Sequence, residues 1–178
     1  MKKNWHWCSM VIFLVFTGCA TVPVFTSDPT TQTVENELFV VELEPHLASG
    51  RSFFDSFRYV FVNKSDTDLK LDWPNTFYLK NGLIFGRWGM KGMTLEQLRE
   101  LEKQPLITIA PGETLSGLIF PLSLIAKRSR TAISRDEPSV RPGIIPEGES
   151  GMDLTVLQGD RVIREKLICR IAVSHMRK

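Results

Sequence analysis

Few side chains in this chain can do chemistry, and the most informative of them is a thiol. Cys19 follows Lys2 and Lys3, an apolar run from Met10 to Phe16, and the small pair Thr17-Gly18. A positive start, a short apolar stretch and small residues before a cut form the grammar of a secretory signal. The run is too short to span a bilayer as a helix. A thiolate is the strongest nucleophile a side chain offers, and it can take a lipid as a stable thioether.

The residues Phe16-Thr17-Gly18-Cys19 resemble the lipobox of bacterial lipoprotein precursors, with Phe16 where Leu is usual. The resemblance implies a diacylglycerol on the Cys19 thiol, cleavage between Gly18 and Cys19, and acylation of the new amino group. Each buried methylene contributes about 0.8 kcal/mol, so two or three chains hold a protein to its membrane essentially permanently. In that family an Asp after the lipidated Cys favours retention in the inner membrane. Ala20 stands there instead, which points to the outer membrane, at its periplasmic face.

The other reactive groups lack a setting for catalysis. Beyond the signal the histidines are His46 and His175, and neither lies in a recognisable catalytic motif. Ser116-Gly117 falls within a strand pattern, not in the strand-turn-helix of a nucleophile elbow. The acidic pairs Asp136-Glu137 and Glu147/Glu149 lie in a stretch read as loop, whereas acid/base work needs carboxylates at fixed separation. Met90 and Met93 beside Trp88 offer soft thioethers of the kind monovalent copper takes, but without a third ligand nearby. Met is also ordinary core filler. Lys127-Arg128-Ser129-Arg130 could meet an anionic surface, although acidic residues follow closely. Trp73, Phe77, Tyr78, Phe85 and Trp88 could mark an interface, and core packing explains them equally well.

Composition sets the frame around these groups. Of 178 residues, 22 are basic and 20 acidic, and the excess of +2 is supplied by Lys2 and Lys3. A charge-neutral mature chain argues against a nucleic-acid partner. Removal of the signal leaves 160 residues, enough for one domain with a proper core. Cys8 leaves with the signal and Cys19 takes lipid, so Cys169 stands alone and no intrachain disulfide forms. It shares one face of an alternating strand with Ile163, Leu167, Ile171 and Val173, which predicts a buried, structural thiol.

The elements follow from local pattern. Residues 1–18 are the signal, 19–36 read as a flexible tether, and 37–178 as one β domain. Strands are expected at Leu38 to Leu43, stopped by Pro45, at Phe57 to Val62, and at Leu69 to Trp73. Asn81-Gly82 between Thr76 to Lys80 and Leu83 to Phe85 suits a two-residue type I′ hairpin. Thr94 with Gln97 makes a capping box before Leu95, Leu98 and Leu101, predicting one short helix ended by Pro105. Leu106 to Ile109 and Thr114 to Phe120 read as a strand pair around Pro111-Gly112-Glu113. Residues 127–151 read as a long loop, and Met152 to Val173 as a terminal hairpin about Gly159-Asp160.

Seven to nine strands with one inserted helix predict a β-sandwich of immunoglobulin-like type. From about Val60 to Phe120 the order of turns and strands is similar to small immunoglobulin-like domains of bacterial surface proteins. The chain therefore reads as a membrane-anchored envelope lipoprotein that binds another protein or envelope component without catalysis and without a cofactor. The alternative is a small envelope hydrolase or copper-handling protein whose site is assembled from distant residues.

Overall fold

The computed structural model describes residues 21–47, 49–103, 105–125 and 140–177. The lipobox, with Cys19, and the basic cluster Lys127 to Arg130 lie outside the described residues. The architecture is mostly β. Among the described residues eleven strands run in order: β1 (Thr21–Asp28), β2 (Gln32–Glu35), β3 (Phe39–Leu47), β4 (Phe54–Asn63), β5 (Leu69–Leu71), β6 (Phe77–Lys80), β7 (Leu83–Met90), β8 (Ile107–Ile109), β9 (Thr114–Pro121), β10 (Gly148–Gln158) and β11 (Arg161–Arg177). Helix α1 (Leu95–Arg99) lies between β7 and β8.

The strands hydrogen-bond in the order β1-β11-β10-β6-β7-β9-β4-β3-β2, and β5 pairs with β10 and with β8. All these pairings are antiparallel. The sheet folds over on itself at β7. Its first half pairs with β6, and its second half, from Trp88 to Met90, pairs with β9. Phe85 is the extra residue at the bend, because Tyr78 faces Gly86 while Leu79 faces Ile84. Such a bulge bends a strand and lets it pass from one layer to the next. Two layers thus share a corner strand.

The core fills the space between those layers. On β3, Phe39, Val41 and Leu43 are buried while Val40 and Glu42 are half-exposed, the period-2 pattern of a strand with one face inward. Leu167, Cys169 and Ile171 of β11 and Met152, Leu154 and Val156 of β10 pack opposite. Trp88 ties the layers together: its ring meets Phe57 of one layer edge-on at 5.4 Å and Tyr78 of the other at 5.2 Å. Asn63, fully buried, closes the end of β4. Its Nδ2 donates to the carbonyls of Thr67 and Ile109, both at 2.8 Å, and its Oδ1 accepts from Ser65.

Several expected elements are present as read. Asn81 and Gly82 have φ of 50° and 77°, the left-handed pair that a type I′ hairpin requires. Thr94 Oγ1 accepts from Gln97 N at 3.3 Å and Gln97 Oε1 accepts from Thr94 N at 2.9 Å, completing the capping box. Leu98 and Leu101 then pack on the core.

Four expectations are corrected. The stretch read as a tether holds two strands: β1 pairs with β11 over its whole length and β2 pairs with β3. Pro23 is tolerated because β1 is an edge strand, where a missing N–H costs no ladder bond. The same reason carries β3 through Pro45, since β2 pairs no further than Leu43. Ile107 to Ile109 and Thr114 to Pro121 do not pair with each other; β8 joins β5, and β9 lies between β4 and β7. Within 127–151, residues 127–139 lie outside the described part, but Gly148 to Gly151 begin β10 and Ile145 is fully buried. Removing 127–151 would therefore take out core and strand, not loop alone.

Candidate functional site

One end of the half-closed sheet gathers most of the unusual surface. The ladder registers fix which elements meet there. Lys80 faces Ser150, Ser150 faces Cys169, and Asp28 faces Arg170. The Asn81-Gly82 turn and the end of β1 at Asp28 are therefore level. From Asp28, β1 runs back to Thr21 opposite Arg177, past the level of the turn, and curls across the open end, where Phe25 meets Phe53 and Phe54. Phe25 N–H donates to Ser52 O at 3.3 Å, which brings the segment before β4 to the same end.

A cleft of about 550 Å³ opens beside β1, lined by Phe25, Thr26, Pro45, His46, Leu47 and Phe54 among others. It exists because β2 stops pairing at Leu43, leaving the end of β3 without a neighbour on that side. Its walls are apolar with hydroxyls from Thr26, Ser27 and Thr30, and His46 is exposed at its rim. Glu44 also lines it, but that carboxylate is already engaged. Arg58 Nε and Nη2 both donate to Glu44 Oε2, at 2.9 and 2.6 Å, and this contact raises the guanidinium pKa. These charge-assisted bonds, both to one oxygen, hold the Glu44 carboxylate on Arg58.

A row of polar contacts links β6, β10 and β11, buried at Tyr78, Ser150 and Cys169 and partly exposed at Lys80. The Cys169 thiol donates to Ser150 O at 3.3 Å, and the Tyr78 hydroxyl and Ser150 Oγ share a hydrogen at 3.1 Å. Lys80 Nζ donates to the carbonyls of Pro146 at 3.0 Å and Glu147 at 2.7 Å, and burial lowers its pKa. These bonds tie the segment before β10 across the open end, where Ile145 N–H donates to Phe54 O at 2.9 Å. The row braces the fold, because each member is committed to a neighbour.

Cys169 is buried as the alternating pattern predicts. Burial pushes its pKa from an ordinary 9.0 up to about 11, partly opposed by the Ser27 hydroxyl. The folded state therefore holds the proton more tightly than the unfolded chain does. Stability from this group is complete below pH 9 and is lost as pH rises toward 11, by about 2–3 kcal/mol. Tyr59 and Tyr78, both raised by burial, act in the same direction. Chemical unfolding at pH 8.5 and 10.8 should show a steeper loss for the wild type than for Cys169→Ala. Equal slopes would contradict the assignment.

The thioethers considered for copper are used in packing. Met90 N–H donates to Met93 Sδ at 3.2 Å, and both side chains lie against the core beside buried Trp88. Met93 also borders a hollow of about 340 Å³ with Lys91 and Arg141, two cations. Among the described residues no three His, Cys, Asp or Glu side chains gather to hold a metal ion. Of the aromatic residues weighed as an interface, Trp73, Tyr78 and Trp88 are core, and Phe85 is exposed.

Sequence reasoning missed the apolar tip of the hairpin. Leu83, Ile84 and Phe85 are 73%, 61% and 52% exposed. Their run of three apolar residues after Asn-Gly, where alternation fails, was the available signal. Five of the seven large exposed apolar side chains among the described residues, namely these three with Leu47 and Ile144, lie at this one end. Leu106 and Val162 lie toward the other. No protein-family model, curated protein or solved structure matches the chain.

Proposed function

We propose that the chain is a lipid-anchored envelope protein that acts by binding a protein or envelope component, with the cleft beside β1 as the contact. The observation that supports it is the character of that cleft: open, walled by Phe25, Pro45, Leu47 and Phe54, and rimmed by hydroxyls and one imidazole. Apolar walls with a few placed polar groups suit recognition. The sheet edge at β1 offers unpaired backbone groups to an extended segment alongside it. The lipid on Cys19 fixes location at the periplasmic face of the outer membrane. With β1 beginning at Thr21, the domain follows the anchor after one intervening residue.

The hydrolase alternative would need His46 activated by a carboxylate, and Glu44 is engaged by Arg58. The copper alternative would need free thioethers, and those of Met90 and Met93 are packed.

The test is crosslinking in the native envelope with the wild type and with Thr26→Trp, which fills the cleft from an exposed position. The wild type should recover a specific component, and the variant about tenfold less of it, the equivalent of about 1.4 kcal/mol. Equal recovery would remove the cleft as the contact.

A further inference from the structure

The hairpin tip has an unusual distribution of apolar surface. Leu83 pairs with Lys80 and Ile84 with Leu79, so the two point to opposite faces of the hairpin. Phe85 meets Tyr78 edge-on at 6.3 Å, which places it on the side of Leu83. All three remain exposed. A docked protein partner covers one face of a strand and leaves the other in water. Apolar side chains on both faces suit a medium that surrounds the tip. The apex, Asn81-Gly82, carries no charge, and the Lys80 ammonium beside it is bonded to two carbonyls.

The chain leads to the same end. From Cys19 to Thr21 is two residues, about 7 Å of extended chain. The β1–β11 ribbon continues past the level of the turn for about six residues, roughly 20 Å of chain, and curls across the open end over Ser52. A lipid on Cys19 therefore keeps the tip within a few tens of ångströms of the bilayer at all times.

We propose that this end is a second membrane contact, in which Leu83, Ile84 and Phe85 enter the interfacial layer of the bilayer that holds the Cys19 lipid. The inference rests on the lipid-anchor reading. Interfacial elements bury their apolar side chains about 5–10 Å into the headgroup and acyl boundary. Three side chains at a hairpin tip match that depth. Because the anchor holds the domain at the surface, insertion is intramolecular and needs little affinity of its own. Its effect is on orientation: the ribbon lies along the membrane, and Ile144 and Leu47 turn toward it while the Gly159-Asp160 turn points away.

The test uses the full-length lipidated protein in vesicles of phosphatidylethanolamine and phosphatidylglycerol. Phe85→Cys, Leu83→Cys and, as the distal control, Val162→Cys each receive an environment-sensitive fluorophore. Buried Cys169 is silent to the label, Cys8 leaves with the signal, and Cys19 is alkylated. The labels at 83 and 85 should be quenched by spin-labelled acyl chains and protected from aqueous iodide at least about threefold relative to position 162. Iodide access equal to that at 162 would overturn the proposal. So would protection from both quenchers that persists in detergent, which would show a second copy covering the tip. The intact mass of the same preparation reports the anchor. Lipidated protein with water-exposed labels refutes insertion alone, and an unmodified Cys19 removes the anchor reading and this inference with it.

Discussion

On the lipid-anchor proposal, Cys19→Ser is expected to leave no lipidated mature protein in the outer membrane. A serine hydroxyl does not take the diacylglycerol, so the lipoprotein peptidase has no substrate and the chain is left uncut or is exported without lipid. Two or three acyl chains correspond to an effectively permanent anchor at about 0.8 kcal/mol per methylene, so their loss should move the protein almost entirely from the sedimenting to the soluble or uncut fraction. Folding should be untouched, because the described strands and the core residues they carry all lie from Thr21 onward. Fractionation of envelopes followed by immunodetection reads the outcome. Mature Cys19→Ser protein that still sediments with the outer membrane would contradict the anchor. The hairpin tip would not rescue it, since three interfacial side chains alone bind reversibly.

Gly151→Ala is expected to be the most destabilising single methyl in the described fold. Gly151 lies in the middle of the sheet, on β10, facing Leu79 of β6 on one side and Ile168 of β11 on the other. A Cβ there would collide with Leu167 O and stand 2.9 Å from Ile168 Cα. Both are backbone atoms of a paired strand, so relief requires opening the β10–β11 ladder, the spine of that layer. The cost should exceed about 4 kcal/mol, a large part of the whole stability of a domain this size. Gly117→Ala is the matched control, because its Cβ meets the Tyr59 ring edge at 3.0 Å, a side chain that can shift. That change should cost about 1–2 kcal/mol. Urea unfolding followed by tryptophan emission separates them, and a Gly151→Ala midpoint close to the wild type would show that the two strands are not this close.

The same glycine explains why part of the fold was hard to read in advance. Pro146, Gly148 and Gly151 carry turn chemistry, and counting them as loop formers moved the start of β10 from Gly148 to Met152. Their meaning is close approach: Gly151 lets β11 pass where a side chain would collide. Local turn propensity could not reveal this, because the colliding atoms come from Leu167 and Ile168. Pro23 and Pro45 misled in a similar way. Each sits where the strand has no neighbour on its N–H side, and edge status is a property of the assembled sheet.

Elements whose signals were local came through. The Asn81-Gly82 hairpin, the Thr94–Gln97 capping box and the inward face of β11 each depend on residues within a few positions of one another. The candidate site was less legible. His46 was visible as a lone imidazole, but Glu44, Phe25 and Phe54 come together only through the pairing of β3 with β4 and the curl of β1 over Ser52. The apolar run Leu83-Ile84-Phe85 was legible as a break in alternation, yet its exposure on both faces depends on where β7 turns from one layer to the other.

The most direct measurement is the intact mass of the mature protein purified in detergent from its native membrane, with fragmentation of its N-terminal peptide. The expected product is a chain that begins at Cys19 and carries a thioether-linked diacylglycerol, with a further acyl group on its amino terminus. A free thiol at Cys19, or a chain that begins at any other residue, would contradict it.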